Sequence, residues 1–282
     1  MLQFISKSRF EDSLKIYVLA LVSVFLGTLV FYAFPPYNYS FYYFIPYIYL
    51  FLCIKFLSTR LLLLASFSLG CGIFFRGMFW LYDFSAAIDP NYHYSVVIIN
   101  SIILLLLALF STTIPSILTS YSAKILNHTN PFFLAVLIFT LFEWTRSTLF
   151  TGLPYYQPGY ILIDTPFSKL APVGGVLSMT FVFFCMVSAV LSFCFSRGKS
   201  KLISLGGMLL IVLATALLNM TQWSQDSENL DVRIIHGTSS NADKEDFVEM
   251  HQRINRYLEY TLDAHDNSVT PELVIWPEGS VT

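Results

Sequence analysis

Charged residues are scarce in this chain: 12% of its 282 residues are Asp, Glu, Lys or Arg, against roughly 25% in a soluble domain. An ordinary soluble domain is excluded, and a net charge of −2 leaves no basic excess to hold nucleic acid. Cysteine is scarce too. Cys53, Cys71, Cys185 and Cys194 all fall inside apolar runs, without metal-site spacing or the setting of a secreted disulfide framework, and read as small hydrophobes. His93, His128, His236, His251 and His265 are scattered, so neither a metal nor a cofactor is expected. What is abundant is apolar surface: 55% of the residues are hydrophobic and 17% aromatic, which is the composition of a membrane protein.

Seven stretches read as membrane-spanning helices, since a hydrocarbon core of about 30 Å needs about 20 apolar residues. The first, 16–34, follows a polar start with Lys7, Arg9 and Lys15 and lacks the small-residue cleavage site of a removed signal. Pro35-Pro36-Tyr37-Asn38 marks a turn into the aromatic-rich stretch 41–57. Then come 61–80, 95–114, a fifth beginning at Phe132, 172–195 and 202–219. Arg76 reads as an arginine snorkelling from the end of the third stretch, with Trp80 and Tyr82 suited to an aromatic belt. Seven spans put the amino-terminal tail, the Lys55/Arg60 turn, Lys124 and the Arg197, Lys199, Lys201 cluster on one side. The positive-inside tendency makes that side cytoplasmic, and everything after Met220 extracytoplasmic.

The fifth stretch runs into Glu143-Trp144-Thr145-Arg146. Ionisable side chains at membrane depth are costly, and positions three apart share a helix face, so Glu143 and Arg146 are expected to pair. Two roles fit equally: an ion pair steadying the outer end of the helix, or the lining of a polar cavity. The segment from Thr151 to Tyr160 is too rich in Pro and Gly for a helix and too aromatic for a plain linker, and is expected to fold back into the interface.

After Gln225 the chain turns polar. A strand over 230–235, a helix over about 244–264 and a strand over 273–276 make one βαβ unit and imply parallel pairing. The second strand stops at Pro277 and presents Glu278 at its carboxyl end, where α/β folds hold their chemistry. Taken alone, Glu278 is either a catalytic base or a carboxylate in a solvated turn.

Four stretches together resemble the apolipoprotein N-acyltransferase family. They are Phe142-Glu143-Trp144-Thr145-Arg146 through Thr151-Gly152-Leu153-Pro154-Tyr155-Tyr156-Gln157-Pro158-Gly159-Tyr160; Ile163-Asp164 with Leu170-Ala171-Pro172-Val173-Gly174-Gly175; Val274-Ile275-Trp276-Pro277-Glu278; and, more weakly, Phe79-Trp80-Leu81-Tyr82. The Trp-Pro-Glu piece alone indicates only a nitrilase-type fold. The resemblance covers the first half of the family's usual length. It implies a polytopic α-helical membrane domain of about seven transmembrane helices over 1–225 and the first βαβ part of a nitrilase-like (carbon-nitrogen hydrolase) α/β domain over 226–282, in the bacterial cytoplasmic (inner) membrane.

The family's activity would be transfer of an acyl chain from a phospholipid donor to the diacylglyceryl-cysteine of an apolipoprotein acceptor, through a thioester on a Glu, Lys and Cys set. Glu278 matches the glutamate; the lysine and cysteine have no counterpart, and a tryptophan of the family is replaced near Glu245. The chain is therefore expected to be a truncated or split member, inactive alone, whose remainder a second chain would supply. Trp80, Tyr155, Tyr156 and Gln157 are the implied lipid-entrance residues. The alternative is a polytopic membrane protein without catalysis, a lipid-binding remnant or a transporter-like half.

Overall fold

The computed structural model describes residues 2–88, 93–127, 130–149, 152–195, 198–224, 229–236, 247–262, 271–277 and 280. The chain divides into two compact units, Met1–Leu81 with Val97–Trp223, and Tyr82–Val96 with Ser224–Thr282.

The helices are α1 (Leu2–Thr28), α2 (Phe41–Phe56), α3 (Thr59–Gly77), α4 (Trp80–Ile88), α5 (His93–Ala108), α6 (Ile114–Ile125), α7 (Pro131–Thr148), α8 (Ala171–Phe195), α9 (Lys199–Asn219) and α10 (Phe247–Leu262). Apolar runs of this length fold as helices in lipid because every backbone N–H and C=O must find its partner within the segment. Among the described residues five helical stretches are long and apolar enough to cross a membrane: Leu14–Ala33, Thr59–Gly77, Tyr94–Ile125, Pro166–Phe195 and Lys199–Asn219. The other two expected stretches form α2, which has 16 residues, and α7, which carries Glu143 and Arg146.

One stretch outruns its expectation. The helix anticipated to end near Ile114 continues to Ile125, through a π-helical turn at Leu109–Thr113. Pro115 does not stop it: the backbone stays helical through Thr113 and Ile114, and the π-helical turn just ahead of Pro115 is the kind of local adjustment by which helices in lipid accommodate a missing N–H. The Thr112 hydroxyl in that turn is 2.7 Å from the Ala108 carbonyl and 2.8 Å from that of Ser66, which ties the turn to α3.

Two kinds of contact hold the first unit. One is aromatic: Tyr43, Tyr47 and Phe51 of α2 meet Phe139 of α7 and Phe183 and Phe184 of α8, with Tyr43 and Tyr47 stacked at 5.3 Å and Phe183 edge-on to Tyr43 at 5.3 Å. Such pairs add about 0.5–1.5 kcal/mol each beyond burial. The other is backbone proximity between α1 and α3. A Cβ at Gly72 would collide with the Val24 carbonyl oxygen and stand 3.0 Å from the Gly27 Cα. Small residues permit this approach, the usual device of helix pairs in lipid. Gly72→Leu is expected to force α1 off α3 and destabilise the protein by about 1–3 kcal/mol or more, read as a lowered Tm in detergent; an unchanged Tm would refute the close crossing.

Lys55, Lys124 and Lys201 gather at one end of the bundle, that of the Phe41–Phe56 and Ala171–Phe195 helix C-termini. Lys55 lies over the Phe132 ring at 5.3 Å, Lys201 over Phe193 at 3.9 Å, and Lys124 is 3.5 Å from the Thr59 hydroxyl. Asn130 starts α7 at that end, its side chain accepting from the Phe132 N–H at 3.2 Å just ahead of Pro131.

In the second unit, β1 (Val232–Ile234) pairs in parallel with β2 (Leu273–Ile275), Val232 opposite Leu273 and Ile234 opposite Ile275, and α10 lies between them in sequence. The expected strand, helix and strand are present, and each strand is shorter than its sequence pattern. Against α10, the Trp276 indole N–H donates to the Thr261 hydroxyl at 2.9 Å, its ring lies 5.6 Å from that of Tyr257, and Arg233 donates to the Thr261 carbonyl at 3.0 Å.

Candidate functional site

The end of the bundle opposite the lysines is built around Arg146. One guanidinium nitrogen meets the Glu143 carboxylate at 2.5 Å, so the expected pair forms, one turn apart on α7. The other donates to the carbonyls of Leu153 and, at 2.7 Å, Tyr155. In return the Leu153 N–H donates to the Arg146 carbonyl at 2.9 Å. Both charged side chains are 3% exposed, so the pair sits beneath the loop and holds it down. The chain makes the turn at Gly152, whose φ of +84° suits glycine and where a Cβ would strike the Ser147 carbonyl.

Tyr156 is the second fixed point. It has a φ of +57°, in the left-handed region that non-glycine residues occupy only where the surroundings dictate it. Those surroundings are visible: its hydroxyl donates to the Gly77 carbonyl at 2.5 Å, its carbonyl accepts from the Tyr43 hydroxyl at 2.5 Å, and its ring stands edge-on to Phe34 at 5.0 Å. Burial pushes the Tyr156 phenol above its ordinary pKa, with the charge of Arg76 working against it, so the hydroxyl stays a neutral donor. The far side of the loop is fixed where the Gly159 N–H donates to the Thr180 hydroxyl at 3.0 Å on α8.

This loop and the 33–40 turn enclose a cleft of about 580 Å³, lined by Ala33, Phe34, Pro35, Asn38, Ser40, Pro154, Tyr155, Tyr156, Tyr160, Ile161, Ile163 and Asp164. That volume is in the range of about 300–1,000 Å³ that ligand pockets occupy, and an apolar wall with a few polar groups is their usual make-up. Of the expected lipid-entrance residues, Tyr155 and Tyr156 lie in the wall of this cleft, and Trp80 stands beside it, its ring 5.8 Å from that of Tyr155. Gln157 is placed differently from its expectation as an entrance residue. It is 0% exposed and donates to the Glu143 carbonyl at 3.3 Å, because the reversal at Tyr156 turns it inward. Phe34, Asn38, Ser40 and Asp164 escaped the sequence reading as cleft residues; the Pro35-Pro36 turn was the signal for the first three, and the Ile163-Asp164 stretch that for Asp164.

Glu278 lies outside the described residues, as does Glu245. Among the described residues no group of three His, Cys, Asp or Glu is gathered as a metal site would require.

The loop, the cleft and the helices beneath them fall inside a match to known proteins. Residues 26–190 match the model of the apolipoprotein N-acyltransferase N-terminal domain. The chain is 28% identical over 222 residues to the apolipoprotein N-acyltransferase of Haemophilus ducreyi, covering 78% of this chain and 42% of the relative. It is 26% identical over 278 residues to that of Pasteurella multocida, covering 94% and 50%. It is 30% identical over 213 residues to that of Haemophilus influenzae, covering 73% and 38%. The matches thus span half or less of each relative's length. A domain match over more than half of this chain, with relatives of one name aligned across most of it, places it in a family: the chain belongs to the apolipoprotein N-acyltransferases.

Proposed function

We propose that this chain forms the membrane domain and the opening of the nitrilase-like domain of an apolipoprotein N-acyltransferase, spanning 1–225 and 226–282, and that its cleft admits the acyl chain of a phospholipid donor. The observation that carries this reading is the family match over 26–190, within which the cleft-forming loop lies. The parallel β1 and β2 with α10 between them in sequence support a nitrilase-like start. Lys55, Lys124 and Lys201, at the end of the bundle opposite the cleft, support seven spans with that end cytoplasmic and the cleft extracytoplasmic, in the bacterial inner membrane.

In the reaction, Glu278 is the base. It takes the proton of a cysteine thiol, since the thiolate is the nucleophile. The thiolate attacks the phospholipid ester while a lysine steadies the oxyanion, and the carboxyl returns its proton to the leaving oxygen, giving a thioester and a lysophospholipid. The amine of the diacylglyceryl-cysteine of the acceptor lipoprotein then takes the acyl chain. The cysteine and lysine have no counterpart among these 282 residues and come from the rest of the catalytic assembly, on the same polypeptide or a second one.

The test is a chimera in which this chain replaces the matching portion of the Haemophilus influenzae relative, expressed in cells depleted of their own enzyme. Lipoproteins carrying three acyl chains by mass spectrometry are expected. A chimera that inserts stably yet leaves lipoproteins with two chains would overturn the reading in favour of lipid binding without catalysis, the reading the cleft supports by itself.

A further inference from the structure

We propose that the exposed Arg76 guanidinium, held on the Phe31 ring at the rim of the tyrosine-lined cleft, takes the phosphate of a bilayer glycerophospholipid whose acyl chain enters that cleft. The proposal rests on the acyl-donor reading and names the residue that would hold the donor's headgroup.

Snorkelling alone asks only that Arg76 reach polar surroundings. The structure gives it a fixed seat. Its guanidinium carbon lies 3.7 Å from the centroid of the Phe31 ring, and Phe31 is itself braced by Tyr32 at 5.5 Å and Tyr37 at 5.7 Å. Stacking occupies a face of the guanidinium plane and leaves its edge, where the N–H donors point, free for two parallel bonds to an oxyanion. Among the described residues no carboxylate forms an ion pair with it. The next residue, Gly77, accepts the hydroxyl of Tyr156, which lines the cleft, and Phe31 precedes the lining residues Ala33 and Phe34. The cation and the cleft therefore share one rim.

The chemistry of that rim selects the occupant. A free anion gains nothing from a cleft whose wall is mostly apolar. A molecule with a phosphate at one end and a hydrocarbon chain at the other satisfies both parts, and the bilayer around these helices supplies such molecules at high local concentration.

The test uses the full chain purified in mixed micelles holding equal amounts of dipalmitoyl phosphatidylglycerol and dipalmitoylglycerol, with retained lipid counted by native mass spectrometry. Wild type is expected to favour the phospholipid about five-fold, the size of one exposed charge-assisted contact. Arg76→Gln should bring the preference below about two-fold, and Arg76→Lys, which keeps the charge but not the flat fork, should fall between. Lys124→Gln, at the other end of the bundle, should match wild type. Should Arg76→Gln prove unstable, Phe31→Leu, which removes the seat and keeps the charge, is expected to weaken the preference in the same direction. Equal preference in wild type and Arg76→Gln, or none in wild type, overturns the site. Loss of the preference when millimolar inorganic phosphate is added overturns the lipid as its source. The parent reading is separable: a chimera that transfers acyl chains without this preference keeps the acyltransferase and removes Arg76, whereas a preference without transfer does the reverse.

Discussion

Arg146→Ala is expected to destabilise the first unit by about 3–5 kcal/mol and release the loop that walls the cleft. The size follows from what is stranded. The guanidinium serves one carboxylate and two loop carbonyls from a position 3% exposed, so its removal leaves the Glu143 charge and the Leu153 and Tyr155 carbonyls together without their donor. Arg146→Lys should recover little, because a single ammonium on a flexible stem cannot hold a carboxylate and two carbonyls in a planar fork. The double change Glu143→Gln with Arg146→Met should cost less than Arg146→Ala, since no charge is left buried alone. Melting in detergent gives the energies, and limited chymotrypsin cleavage at Tyr155 and Tyr156 reports the loop. If Arg146→Ala melts with wild type and the loop stays uncut, the pair is not what holds the cleft wall in place.

How much of this was legible in the sequence depended on the range of the contact involved. The Glu143–Arg146 pair was readable because three residues along a helix is one face, whatever the rest of the chain does. The strand, helix, strand order was readable because two short apolar runs, ending in Ile235 and in Trp276, flank a helical stripe of apolar residues. The burial of Gln157 was not, since it follows from a left-handed Tyr156, a conformation set by Tyr43, Phe34 and Gly77 rather than by its neighbours in sequence. The cleft was half readable. Its loop wall announced itself through Pro and Tyr, whereas Phe34 and Asn38 join it from about 120 residues earlier through packing that a single sequence does not encode locally. The overrun of the fourth stretch to Ile125 was not readable, because whether a helix runs on past Pro115 depends on the π-helical turn ahead of it, which contacts with α3 hold.

The second large effect is expected at Glu278. In the chimera, Glu278→Gln should lower acyl transfer about 10³-fold while the protein inserts and melts as before. Glutamine keeps the shape of the side chain and its capacity to accept a hydrogen bond, but it cannot take a proton. A thiol of ordinary pKa is only a few per cent thiolate at pH 7, so loss of the base removes the nucleophile rather than the binding site. Glu272, at the other end of β2, is the matched control. Its N–H donates to the Asp231 carbonyl at 2.8 Å, and Glu272→Gln in the same unit should leave transfer within about two-fold of wild type. The contrast separates the two readings of a carboxylate after a strand. The residues leading to Glu278 are held from two sides, by the β1 ladder up to Ile275 and by the Tyr257 and Thr261 contacts of Trp276, and Pro277 then withdraws the donor that would extend the ladder. A glutamate at an ordinary solvated turn has no use for that support and tolerates glutamine. Transfer by Glu278→Gln at the wild-type rate would therefore remove the base from the mechanism and, with it, the reason to regard the end of β2 as a catalytic position.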